Sequence, residues 1–541
     1  MGIAFRVSAL LLAALAWAHA QPAQELRFCL RADPKTFDPL LAAEDASETV
    51  RYLTAGVLIR FNRQTQKLEP ELASAWQVRE GGRRIDFTLR RGVLFSDGAP
   101  FGPADVVATV RRLAAPDLHS AIADSFHLGA GEIRAEANGA DGVSIFFSTP
   151  VAGLELLFDQ LAMSPARPVQ PLAAVLGPFA LAEYKSGQYV RLRRNPHYWK
   201  TDVAGRRLPY LDSVRLDIQG NREIELMRFR RGELHFVDKL EPDAFDRLHK
   251  ERPTSVVDAG PSLDKEFLWF NQVAAAPLPA HKQLWFQSKL FRRAISAAIN
   301  RGDLIRVVYL GHAHPSAGPV SLANKFWFNS ALSAPKYEPA QALELLRKDG
   351  FRLEGQTLRD RSGNAVEFSL ITNAGNHTRE QIGAMVQQDL KKIGIRVNFA
   401  PLEFQSLIGR IAGDNNYEAC LLGLTNVEID PNSEMNVWMS SGTHHPWNPR
   451  QAKPATAWEA EIDDLMKRQA SAASPAERKR AFDRVQQIVA EEAPFVFLAN
   501  PDVLLAVSPA VRNVAPSPLP PHLFWNIERL SLALPEPGRD K

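Results

Sequence analysis

The sequence predicts an α/β fold built as sheet-based lobes with covering helices. Strand-type and helix-type periodicities intermingle along the chain, with no tandem repeat or low-complexity tract, and such alternation indicates sheets packed against helices. One helix-to-strand passage is explicit. Ile382, Met385, Val386, Leu390 and Ile393 recur at helical spacing, Gly394 stands where a left-handed residue closes the helix, and Ile395, Val397 and Phe399 start a strand. At 541 residues, 45% hydrophobic and 23% charged, the chain is long and apolar enough for two or more cores. Lobes of this kind hold ligands in crevices at strand ends.

Taken in order, the chain opens with Arg6, an apolar run from Val7 to Ala18, and the small-x-small site Ala18-His19-Ala20 followed by Gln21. This pattern predicts a secretory signal peptide over residues 1–20, cleaved after Ala20. A run of about a dozen residues is too short to span a bilayer, which takes roughly 20. No Cys follows the cleavage site, so no lipid anchor is expected. Leu26 to Leu30 and Tyr417 to Leu422 read as apolar strands, and each holds one of the two cysteines, Cys29 and Cys420. They read as buried thiols rather than as a disulfide, because a packed Cys behaves as a small hydrophobe. Ile85, Phe87 and Leu89 alternate with polar residues and lead to the turn Asp97-Gly98, while Val143 to Phe147 follows Asn138-Gly139 and Asp141-Gly142. Both segments are predicted strands. Leu290, Phe291, Ala294, Ile295, Ala298 and Ile299 mark another helix.

Several function classes fall away. The 64 basic and 61 acidic residues are interspersed and leave a net charge of +3, so no basic face is available for nucleic acid. A phosphate loop ending in Gly-Lys-Ser/Thr, a Gly-x-Ser-x-Gly elbow, a His-Glu-x-x-His helix and a Cys-x-x-Cys pair are all missing, and Gly129-Ala130-Gly131 does not continue into a dinucleotide fingerprint. An enzyme is not expected, and no catalytic residue or cofactor is predicted. His312-Ala313-His314 and His444-His445 are flanked by Gly and Pro as loops are, with no carboxylate or Cys at ligand spacing. They read as solvated loop histidines, and no metal site is predicted.

Eleven short motifs then occur in a telling order. They begin with Asp33-Pro34-Lys35-Thr36-Phe37-Asp38-Pro39, then Leu68-Glu69-Pro70-Glu71-Leu72-Ala73-Ser74-Ala75-Trp76, then the stretch from Phe87 to Phe101 and the helix start Ala104-Asp105-Val106. Gly177-Pro178-Phe179, Tyr184-Lys185-Ser186-Gly187, Arg194-Asn195-Pro196-His197-Tyr198-Trp199, Gly232-Glu233-Leu234, Phe270-Asn271, Phe291-Arg292-Arg293-Ala294-Ile295 and Ala298-Ile299-Asn300-Arg301 follow. Running from Asp33 to Arg301, this order resembles the family 5 extracellular solute-binding proteins, the dipeptide and oligopeptide-binding group of ABC importers. Trp76 and Trp199 within these motifs read as core packing.

The resemblance implies a two-lobed periplasmic binding protein, a clamshell with a hinge whose first lobe is discontinuous and carries an inserted subdomain. The main body of lobe one is expected at 25–49, 175–265 and 495–535, the inserted subdomain at 50–174, and lobe two at 266–494. It further implies a periplasmic monomer that closes on a small solute, most readily a peptide lying as an added strand, and delivers it to an ABC permease of the inner membrane. Relatives on the same frame bind non-peptide solutes, and signalling to a membrane sensor is the alternative outlet.

Ligand-binding candidates are Phe37 in the opening turn, where the family has Leu, and the segment Gly423-Leu424-Thr425-Asn426-Val427-Glu428-Ile429-Asp430-Pro431-Asn432. That segment resembles the family's Gly-Trp-x-x-Asp-x-x-Asp-Pro loop, whose first Asp pairs with a peptide's α-ammonium in peptide-binding relatives. Here Val427 takes the place of that Asp and Leu424 the place of the aromatic, while Glu428 stands one residue away. Thr425, Asn426, Val427, Glu428 and Asp430 are therefore candidates, with Asp430 also suited to forming a turn before Pro431. Trp438 and Trp447 follow in the same region and suit either stacking on a ligand or packing.

Overall fold

A computed structural model describes residues 24–533, apart from 119, 121, 124, 125, 127–131, 425–428 and 473. The predicted signal peptide lies outside the described residues.

Three sheets carry the architecture. A four-stranded sheet runs in the order Glu25–Leu30, Ser213–Ile218, Tyr189–Arg194, Phe179–Lys185, with its first pair parallel and the others antiparallel. The helix Asp45–Thr54 sends Ala46, Val50 and Leu53 into the core behind it. A second, antiparallel sheet is ordered Ala73–Arg79, Arg84–Leu89, Gly142–Phe147, Ile133–Asn138. Its alternating apolar residues pack with the helix Pro103–Leu113 in a separate core, and Trp76 and Trp199 lean against that core half-buried. The predicted strands at 85–89 and 143–147 both belong to this sheet.

The third sheet is the largest. Its main path is Phe236–Val237, Phe495–Val507, Lys265–Phe270, Ala419–Leu424, Glu367–Asn373, Arg396–Leu402, and Val256–Pro261 and Ala313–Pro315 also pair with the long strand Phe495–Val507. All six residues of Lys265–Phe270 are buried, as a central strand covered on both faces requires. One face is covered by Lys289–Ala298, Pro339–Lys348 and His377–Lys391, the other by Ala457–Ser471 and Pro475–Glu492. The helix His377–Lys391 ends before Gly394, whose φ is +80°, and Arg396–Leu402 follows, so the predicted helix, glycine and strand are all present.

The long strand joins the lobes of the clamshell. Its first residues pair with Lys265–Phe270, while Asp502 to Ala506 pair with Val256–Pro261. Phe495 and Phe497 accordingly enter one of the cores of the large sheet, whereas Val503, Leu505 and Val507 enter the core behind the first sheet. Both connecting segments, 256–270 and 495–507, therefore cross side by side.

Two expectations about histidines need correction. Ala313–Pro315 is a strand rather than a loop, and His312 beside it stands among carboxylates. His445 is fully buried, with one ring nitrogen facing Val437 O and the other facing Glu459. Neither environment is local in sequence. Cys29 and Cys420 are both free thiols, as the strand reading anticipated; Cys420 is fully buried as expected, whereas Cys29 is only half-buried.

Candidate ligand site between the lobes

The strand Ala419–Leu424 leads directly into the loop singled out above. It pairs along its whole length with Lys265–Phe270, but on its other side only Ala419 and Cys420 meet Glu367–Asn373. From Leu422 to Leu424, therefore, the strand has a partner on one side only among the described residues. Gly423 lies opposite Glu266, and a Cβ there would stand 2.6 Å from Arg379 Nη2 and 2.7 Å from Glu266 Oε1. The loop begins with glycine because an ion pair covers that position.

That pair is bidentate. Arg379 Nε donates to Glu266 Oε2 at 2.9 Å and Nη2 to Oε1 at 3.1 Å, while Nη1 reaches Asn373 Oδ1 at 3.0 Å. Burial pushes the Glu266 carboxyl above its ordinary value even with the guanidinium beside it. Next to it, the buried Lys265 donates to Pro319 O and to Glu434 Oε1, the latter at 3.1 Å. A small pocket beside Lys265 and Glu434 is lined by Leu263, Val320, Trp327 and Ile429.

Thr425, Asn426, Val427 and Glu428 lie outside the described residues. On the far side of them, Asp430 caps the turn Pro431–Glu434 by accepting from Asn432 N at 3.0 Å, and it receives two bonds from Arg478, at 2.8 and 2.6 Å. This is the strong fork-to-carboxylate geometry. Asn432 Nδ2 then donates to Ala152 O at 3.0 Å, and Ala152 N donates to Ala470 O at 3.2 Å. The loop's end thus docks on the segment that follows the second sheet.

The other candidates are dispersed. Phe37 is half-buried and meets Tyr184 edge-on, 5.0 Å between centroids, against the core of the first sheet. Trp438 and Trp447 are enclosed in the core beneath the loop, where their indole N–H groups donate to Glu434 at 2.9 Å and Glu459 at 3.0 Å. The structure does not bring Phe37 into contact with either tryptophan among the described residues. Sequence reading missed Lys265, Glu266, Arg379, Glu434 and Arg478. The available signal was Lys265-Glu266 opening the apolar run Phe267 to Phe270, since a charged pair entering a buried strand requires partners. A larger cavity, about 440 Å³, lies elsewhere, between the 38–40 turn, the helix Pro103–Leu113 and residues 162–176.

Known proteins share this frame. A family model described as bacterial extracellular solute-binding proteins, family 5, matches residues 67–445. A probable ABC transporter-binding protein of Deinococcus radiodurans is 26% identical, covering 89% of this chain and 87% of its own. The oligopeptide-binding protein AppA of Bacillus subtilis is 24% identical, with 93% and 90% covered. The solved structure of NikA from Brucella suis in complex with Fe(III)-EDTA has a TM-score of 0.76 at 20% identity, covering 94% of this chain and 99% of its own.

Proposed function

Because the chain belongs to the bacterial extracellular solute-binding proteins of family 5, we propose that it captures a short peptide between its lobes and delivers it to an ABC permease in the inner membrane. The observation that carries the peptide reading is the half-open strand at Leu422 to Leu424, which offers main-chain groups to an extended ligand where the lobes meet. The AppA relative is named an oligopeptide-binding protein, which supports the same ligand class. Closure follows from differential contact: a ligand touching both lobes stabilises the closed state alone, and the permease reads that difference. The protein acts as a periplasmic monomer without catalytic turnover, after cleavage behind Ala20. Among the described residues no helix is long and apolar enough to cross a membrane.

Val427 replaces the acidic residue that meets a peptide's ammonium group in peptide-binding relatives, so Glu428 takes over that role in this reading. The test is mass spectrometry of small molecules released on denaturing protein purified from its native periplasm, with Glu428→Gln alongside. Short free-amine peptides released by the native protein and lost from the variant support both statements. Peptides retained by the variant remove Glu428 from the amine site, and a reproducible non-peptide solute overturns the peptide reading.

A further inference from the structure

Away from that loop, the crossing strands gather a cluster of titratable groups that solute capture does not use. Asp258 projects from Val256–Pro261, Asp502 from the middle of Phe495–Val507, and His312 from the residue preceding Ala313–Pro315. One ligand-type atom from each of the three lies within 4.8 Å of the others. The arrangement is anchored by backbone: Asp502 N donates to His312 O at 3.1 Å, and Asp502 is the register partner of Pro261. Asp246 and His314 stand at its edge.

Two features of the cluster call for a cation. His312 Nε2 lies 3.0 Å from Asp246 Oδ1, and its Nδ1 lies 3.4 Å from Asp258 Oδ2. A neutral imidazole carries one N–H. If the ring is neutral and Nε2–H serves Asp246, the Nδ1 lone pair faces a carboxylate oxygen, which is repulsive unless a cation sits between them or the ring itself takes a second proton. This is also the carboxylate–histidine arrangement that orients a metal-binding ring. Independently, Asp502 has a side chain only 6% exposed, and its buried Oδ1 accepts no hydrogen bond. The nearby His314 Nε2, 3.2 Å away, lacks hydrogen-bonding geometry.

We propose that Asp258, His312 and Asp502 form a binding site for a divalent cation of the zinc type, set where the two connecting strands cross between the lobes. One imidazole and two carboxylates suit zinc, and bonds of about 2.1 Å in tetrahedral geometry put ligand atoms roughly 3.4 Å apart. The 3.4 Å between His312 Nδ1 and Asp258 Oδ2 already has that spacing; Asp502 closes the remainder by a side-chain movement. Three protein ligands leave a fourth position for water. Asp246 is a positioning residue that holds the His312 tautomer. A bound ion would tie both connecting strands to the segment carrying His312, and so restrain the lobes at their joint.

The test uses the untagged mature chain, stripped with chelator and titrated with Zn²⁺ by calorimetry, with thermal unfolding measured in parallel. The expected result is one equivalent bound and a rise in Tm by mass action. His312→Ala and Asp502→Asn are each expected to weaken binding about tenfold or more, as is Asp246→Asn through the ring orientation. His444→Ala, at an exposed histidine elsewhere, leaves binding unchanged. Circular dichroism and metal-free unfolding establish that each variant folds, and Co²⁺ substitution adds a spectrum that reports imidazole and carboxylate ligation. Absence of saturable binding, as an imidazolium bridging Asp246 and Asp258 would produce, overturns the proposal. So does binding that His312→Ala and Asp502→Asn leave intact.

Discussion

Breaking the Glu266–Arg379 pair from one side should damage the protein far more than deleting it from both. The side chains are 12% and 11% exposed and joined by two hydrogen bonds, with Asn373 completing the guanidinium's shell. Removing one partner strands a charge in a medium that solvates it poorly, for which about 3–5 kcal/mol is the usual loss. Glu266→Leu should therefore lose about that much by leaving Arg379 unpaired, and Arg379→Met a similar amount by leaving Glu266. Burial already disfavours the Glu266 carboxylate, so the double variant, which buries neither charge, should return to within about 2 kcal/mol of wild type. A coupling energy of about 3 kcal/mol or more follows from the cycle. The signal should be sharpest in hydrogen exchange of the strand Ala419–Leu424, whose Gly423 lies under the pair, because exchange reads local opening free energy directly. Single losses below about 1 kcal/mol, or a double variant equal to the sum of the singles, would refute the view that this pair is costly to hold and costlier to break.

Three further outcomes are expected. Glu459 is buried and, although desolvation alone would raise it, hydrogen bonds from His445, Gln451, Trp447 and Thr456 hold its carboxyl at about 2. Its folded value is below its unfolded one, so the stability it confers is present above about pH 4.5 and is lost as pH falls toward about 2; after allowance for screening this is about 2 kcal/mol in all. Glu459→Gln should flatten that part of the acid-unfolding curve, and an unchanged curve would remove Glu459 as its source. Gly394→Ala places a Cβ 2.6 Å from Leu353 Cδ1 and 2.7 Å from Leu358 N at a φ of +80°, so a loss of about 2 kcal/mol or more in urea unfolding is expected, above the 1–2 kcal/mol of the backbone conformation alone. Burial pushes the Cys29 thiol up to about 12 and holds the fully buried Cys420 well above its ordinary value; a thiol reagent at neutral pH should label neither quickly in the folded protein, and a reductant should leave Tm unchanged.

Legibility in the sequence followed the range of the interaction. The strand Arg84–Leu89 and the passage from His377–Lys391 through Gly394 to Arg396–Leu402 were legible because period, turn and cap are encoded within a few residues. The ordered motifs supplied the clamshell, which local patterns alone do not specify. What escaped was every pairing between distant side chains. Glu266 and Arg379 are 113 positions apart, and His312 meets carboxylates 54 and 66 positions upstream, so no spacing rule could pair them. The two readings of Trp438 and Trp447 could not be separated because stacking and packing both need an apolar face; only the surrounding core of Phe495, Ile462 and Met466 distinguishes the environments.

The same pairings constrain what the loop can bind. By sequence the loop and the turn Pro431–Glu434 that closes it contain three carboxylates, Glu428, Asp430 and Glu434. Asp430 is held by both arms of Arg478, and Glu434 takes Lys265 and the Trp438 indole. A ligand ammonium recruiting either one would have to strip a buried cation of its partner, which loses about 3–5 kcal/mol before any contact is gained. These two carboxylates therefore hold the loop's C-terminal end, and under the function proposed above Glu428 is the loop carboxylate left for a charged ligand. Because that end is held by partners outside residues 425–428, the pairs holding it do not depend on which side chains stand there. Exchange of the family's acidic residue for Val427 is tolerable on those terms, and Glu428→Gln should alter what is captured while leaving unfolding of the empty protein where it was.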